Sequence, residues 1–256
     1  MAFTQFLRRA TPGSARGFAA EILVIVIGVL IALAASNVAE AWNWKRKVSV
    51  GEERLLDEAS GNVRYAAEQV MVGPCVDAQL VQLRTRVLRS GDTLDPAPLH
   101  SDPTGRDYVV RMPSRPYYDA VWIALNDDGT SVHMADVRQQ RHASVYASLA
   151  ILQEKRAESD LLTGRLITLV HPLPLDAASR MTLVADIEEQ RARSLFQSLV
   201  AGQILGAYRR MGSLPSESNV DAFLSQSGTA AFCRKQGLPL ESWRKVMVAM
   251  TPPDDI

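Results

Sequence analysis

From Phe18 to Ala39 the chain is apolar, interrupted only by Glu21, Ser36 and Asn37. As a helix, a run of roughly 22 residues rises about 33 Å, enough to cross a hydrocarbon core of about 30 Å. Beyond it the pattern becomes periodic. Val48, Leu55, Ala59, Val63, Ala66 and Val70 recur at helical spacing. This predicts that the membrane helix runs on into a stalk, ended by Gly73-Pro74. Val76, Leu80, Leu83 and Val87 predict a second helix, stopped at Ser90-Gly91-Asp92. Pro96, Pro98, Pro103, Pro113 and Pro116 make 93–116 an irregular connector, the longest in the chain. The next helix is expected over Tyr117–Leu125, with Tyr118, Val121, Trp122 and Leu125 inward, and Asn126-Asp127-Asp128-Gly129 reads as a turn. Two long helices follow, from near Ser131 to about Val170 and from Asp176 to Met211. The second turns Phe196, Val200, Ile204, Ala207 and Met211 inward. Ser218-Asn219-Val220-Asp221 has the form of a capping box, and Trp243, Val246, Met247 and Met250 form a last apolar face. No stretch alternates as a strand does. The expected fold is all-α: one N-terminal transmembrane helix continuing into a stalk, then an extramembrane helical bundle. The expected divisions are an arm over 1–17, the transmembrane helix over 18–44 and a helical extramembrane domain over 45–256.

The flanks refine the apolar segment. Trp42 and Trp44 stand where indoles anchor at the headgroup level, and Lys45, Arg46 and Lys47 then stop insertion. The rival reading is a cleaved signal peptide, with Arg8, Arg9 and Arg16 as its basic region and Ala39-Glu40-Ala41 as its cleavage site. The run is longer than the usual apolar region of about 7–15 residues, which favours a retained anchor. Gly28, Ala32 and Ser36 are spaced four apart, and Glu21 lies seven residues before Gly28. These four make one face suited to close helix association, where the carboxylate finds a donor in a partner. Alternatively, Glu21 snorkels to the interface. Basic residues flank both ends equally. The short arm ahead of a first span is the signal-anchor arrangement, with the N-terminus cytoplasmic and the domain after about residue 45 periplasmic.

The 28 basic and 28 acidic residues balance, which removes the simplest case for nucleic acid. The histidines, His100, His133, His142 and His171, lack metal-site spacing, and there is no phosphate loop and no nucleophile elbow. No catalytic residue, cofactor or metal is therefore expected. The two cysteines, Cys75 and Cys233, are too few for a disulfide scaffold. In an oxidising compartment they form one bridge across roughly 157 residues, contributing up to about 5 kcal/mol; otherwise they are two buried thiols. Arg106, Arg111 and Arg115 cluster in the connector with Tyr108, Tyr117 and Tyr118 interleaved. That grouping suits an acidic ligand or lipid headgroup, and equally a solvated loop with stacking contacts.

The segment EILVIVIGVLIAL from Glu21 to Leu33, followed by Glu40, Trp42 and basic residues, resembles the N-terminal signature of a bacterial family of small single-span membrane proteins of unknown function. That signature continues with Asn-Trp-Asn-Glu; here Asn37, Glu40, Trp42 and Asn43 occur in a different order. The helix end from Tyr118 to Gly129, followed by a helix carrying Tyr146, is similar to the family's middle region, so the likeness covers roughly residues 18–155. It implies a membrane-anchored helical domain and carries over no active site. The expected function is a non-enzymatic, membrane-anchored interaction or assembly protein of the bacterial inner membrane. Its partners are membrane lipid and, through the transmembrane helix, a second copy or another membrane protein. The alternative is a periplasmic sensory or ligand-binding module near the connector, and a third reading is an enzyme of unrecognised type.

Overall fold

The structure, a computed structural model, describes residues 15–102 and 104–250. Arg8, Arg9 and Pro103 lie outside the described residues. The fold is all-α. Its helices are α1 (Ala15–Arg89), α2 (Ala120–Asp127), α3 (Asp136–Leu166), α4 (Ala177–Arg210), α5 (Glu217–Ser225), α6 (Gly228–Lys235) and α7 (Trp243–Ala249). Two compact units divide between Val50 and Gly51, and α1 contributes residues to both.

In the first unit α1 carries the apolar run, and every residue from Phe18 to Asn43 is exposed. This is the one helix among the described residues that is long and apolar enough to cross a membrane.

In the second unit α1 does not stop at Gly73-Pro74, contrary to the sequence expectation; Pro74 lies inside the helix. Proline removes the N–H that would bond the carbonyl four residues back and crowds that carbonyl. The carbonyls around the defect take bonds from other elements. The Ser198 hydroxyl of α4 donates to Gln69 O at 3.3 Å, and Glu241 N–H donates to Met71 O at 2.8 Å. A Cβ on Gly73 would lie 2.9 Å from Ser198 Oγ, so the glycine is what lets α4 approach this turn. The single helix thus replaces the two expected between Val48 and Val87.

Leu55, Val63, Leu80, Leu149, Leu162, Ile187, Ile204 and Tyr208 lie in the core. Helices α3 and α4 pack along their lengths, and their seam is partly polar. Gln190, Ser194 and Gln197 are buried, and Gln197 donates to Ser159 Oγ at 3.0 Å. Of the residues expected inward on α4, Val200 and Ile204 are buried, Ala207 and Met211 are half-buried, and Phe196 is exposed. Toward the start of α4 polar side chains take the inward place, with Gln190 Nε2 donating to Met112 Sδ at 2.7 Å and to Thr163 Oγ1 at 3.4 Å.

The connector is also more ordered than expected. Two short strands, β1 (His100–Ser101) and β2 (Asp107–Tyr108), pair antiparallel with His100 opposite Tyr108. Helix α2 begins three residues later than expected, and Tyr118 is exposed rather than inward. The backbone of Tyr117 and Tyr118 is engaged elsewhere. Asn62 of α1 donates to Tyr118 O at 2.7 Å and accepts from Tyr118 N at 2.8 Å, while Gln153 of α3 donates to Tyr117 O. The first turn of α2 then finds its acceptor in Glu58 of α1, which takes Val121 N–H at 2.9 Å. Helix α5 is capped by Ser216, whose hydroxyl accepts from Asn219 N, two residues before the expected box.

A candidate ligand cleft and the apolar N-terminal helix

Gln79, buried on α1, holds Arg111 as Asn62 holds Tyr118. Its amide oxygen accepts from Arg111 N at 2.7 Å, and its amide nitrogen donates to Arg111 O at 3.2 Å. One side-chain amide satisfying both main-chain groups of a residue mimics a neighbouring strand. The extended segment after β2 is thereby fixed against α1.

The side chain of Arg111 is fixed as firmly. Its guanidinium lies 4.9 Å from the Tyr108 ring centre, a cation–π distance. One Nη donates to Asp102 Oδ2 at 3.1 Å. Asp102 closes the β1–β2 turn, where Gly105 has φ +80°. Its Oδ1 accepts from Thr104 N, Thr104 Oγ1 and Arg106 N at 2.9, 2.6 and 3.1 Å. These donors, the Thr104 hydroxyl first and then the Arg106 amide, hold the Asp102 carboxyl well below the usual carboxylate range. Burial pushes the Tyr108 phenol up.

A second arginine is held from the opposite side. Arg115 Nε donates to Glu68 Oε2 at 3.0 Å, and Glu68 is fully buried on α1. The other carboxylate oxygen of Glu68 accepts from the hydroxyl of Ser227. Ser227 is the N-cap of α6, so a buried carboxylate serves the positive end of that helix. The Arg115 guanidinium also approaches the ring centres of Phe223 and Tyr65, at 5.5 and 5.9 Å.

Between these two arrangements lies a cleft of about 530 Å³. Arg106, Tyr108, Arg111 and Arg115, singled out in the sequence, all line it, as do Glu68, Asp102 and the first residues of α6. The acidic half was not among the sequence candidates. Asp102 stood in an Asp-Pro-Thr-Gly turn signature, and Glu68 was a lone carboxylate on an otherwise apolar stretch of α1. The arrangement offers fixed, directional donors rather than a reactive group. Among the described residues, no group of three or more histidine, cysteine, aspartate or glutamate side chains is placed to hold a metal ion.

Cys75 of α1 and Cys233 of α6 form a disulfide, with their Cα atoms 6.0 Å apart and both residues fully buried. Gln79 Nε2 lies 3.4 Å from Cys75 Sγ, so the bridge adjoins the amide that holds Arg111.

The membrane-helix candidates stay apart from the cleft residues in the chain and lie in the first unit. Glu21, Ala32 and Ser36 are exposed, and nothing approaches within 4 Å of the position a Gly28 Cβ would take. Trp42, Lys45, Arg46 and Lys47 are exposed, Trp44 is partly covered, and Lys47 Nζ stands 4.5 Å from the Trp44 ring centre.

Comparison of the chain with protein-family models, with curated proteins and with solved structures returned no match.

Proposed function

We propose that this chain is a non-enzymatic, single-span protein of a bacterial inner membrane that acts by association, with its helical bundle in the periplasm. The observation that carries this reading is the uninterrupted exposure of the apolar run from Phe18 to Asn43. Exposed apolar surface of that extent is unstable in water and stable in lipid. The likeness of Glu21–Leu33 to the signature of small single-span bacterial proteins supports the same reading. The Cys75–Cys233 bridge supports an oxidising compartment for the second unit. Glu21, Gly28, Ala32 and Ser36 form the association face, which meets a second copy or another membrane protein. Cross-linking in native membranes tests it. The wild type gives an oligomer or a heterologous adduct that Gly28→Leu abolishes; a monomer band alone in wild type rejects association through this face. Extraction by alkaline carbonate separately rejects the anchor.

A second reading is favoured by the cleft: a sensory or ligand-binding module held at the membrane. Its preformed, braced arginines support it, because directional groups fixed before binding reduce the ordering cost of recognition. Thermal-shift measurement of the full chain in detergent, against a panel of metabolites and headgroups, tests this reading; no shift across the panel counts against it.

A further inference from the structure

We infer that the cleft beside Arg111 takes a small molecule through an oxyanion, a carboxylate or phosphate, seated against Arg106, Arg111 and the first turn of α6. This rests on the ligand-binding reading above and names the ligand class.

The argument is a count of donors left over once the internal bonds are made. Both carboxylates beside the two braced arginines are already spent: Asp102 accepts four bonds, and Glu68 accepts from Arg115 and Ser227. Neither can neutralise more charge. Arg111 donates through one Nη only, and its Nε is buried without a hydrogen-bond partner among the described residues. Arg106 is exposed, and its guanidinium makes no hydrogen bond or ion pair with the described residues. Arg111 Nη2 lies 3.0 Å from where a Cβ on Gly228 would stand. A cation is therefore pressed against the positive end of α6, whose first amides have no acceptor within the helix. Asp102 already answers Arg111 and Glu68 already answers the Ser227 cap, and what stays open is for one acceptor to join the guanidinium and the helix amides. An oxyanion does so, taking paired N–H bonds from a guanidinium fork and further bonds from the helix amides. Gly228 fits this role because a Cβ there would press on the end of the Arg111 side chain.

Asp107 and Asp160 also line the cleft. With Glu68 and Asp102 they make four carboxylates against three guanidiniums, so selection falls on a small anion bonded directionally by the open donors rather than on a polyanion drawn by net charge. The volume suits a molecule of metabolite or headgroup size.

The test uses the full chain in detergent, titrated calorimetrically with inorganic phosphate and with succinate, and in nanodiscs of phosphatidylcholine with and without phosphatidylglycerol. Binding of a soluble anion, weakened about tenfold or more by Arg106→Gln, supports the assignment and identifies a soluble source. Arg106-dependent protection from hydrogen exchange at Gly228 and Thr229 only in phosphatidylglycerol discs supports it with a lipid source. The Arg106 side chain makes none of the structural bonds and its backbone bonds to Asp102 survive substitution, so the variant retains the wild-type circular dichroism spectrum. Arg111→Lys, which keeps the charge and loses the fork, weakens binding in parallel. Stabilisation by neutral or cationic compounds with no response to anions overturns the oxyanion and leaves the ligand-binding reading standing. Silence to every probe overturns both.

Discussion

Glu68 is a carboxylate with almost no contact with water, and it answers Arg115 on one oxygen and Ser227 on the other. Truncating it leaves a guanidinium and the start of α6 without the charge both address. Breaking a buried pair from one side typically costs about 3–5 kcal/mol. Because the Arg115 side chain is partly exposed, the low end applies: Glu68→Ala lowers stability by about 3 kcal/mol in chemical denaturation. Arg106→Gln, by contrast, stays within about 0.5 kcal/mol of wild type. The histidines set a pH dependence. Burial, then Arg138, lowers the pKa of His142; burial, then Lys235, lowers that of His100. Their folded pKa values therefore lie below the unfolded value of about 6.5. As pH falls below that value, the unfolded chain takes up protons before the folded one, so stability declines on acidification. Thermal unfolding at pH 7 and pH 5.5 should show this decline, and a His100→Phe, His142→Phe double variant should flatten it.

At the scale of elements, the passage of α1 through Pro74 depends on α4. Adding a methyl group at Gly73 places it 2.9 Å from Ser198 Oγ but an ordinary 3.7 Å from Ser198 Cβ. Gly73→Ala is accordingly destabilising by about 1–3 kcal/mol, whereas Ser198→Ala alone costs about 1 kcal/mol for its hydrogen bond. In the double variant the obstruction is gone. The two effects are non-additive, with the pair more stable than Gly73→Ala, and a double-mutant cycle by urea titration reads this directly. The same junction shows why the sequence predicted two helices where one exists. A proline is a local signal, while the hydroxyl and amide that satisfy the carbonyls around it come from residues more than a hundred positions away. Periodicity located α3 and α4 closely because both are long, and α4 is also capped by Asp176. It placed Val200 and Ile204 inward as found, turned Phe196 inward where it is exposed, and left out Gln190, Ser194 and Gln197, buried polar groups that no apolar pattern reveals. In the cleft, the arginines were legible as a cluster within one short stretch. Glu68 and Ser227 were not, because their pairing joins α1 to the start of α6.

At the scale of the molecule, the bridge between Cys75 and Cys233 closes the largest covalent loop in the chain, with the two residues 158 positions apart. Constraining an unfolded chain over such a span is worth up to about 5 kcal/mol in the loop-entropy account. Cys233→Ala therefore lowers the melting temperature substantially, and reductant lowers the wild type toward it while leaving the variant unchanged. Because α6 also supplies Ser227 and Gly228, loss of the bridge loosens the wall that faces Arg111. The bridge has a topological consequence as well. Every residue of the proline-rich connector lies between the two sulfurs. A protease that nicks the polypeptide there yields two pieces still joined covalently, and the carboxy-terminal piece remains tied to the apolar amino-terminal segment until a thiol cuts the second strand of the tether.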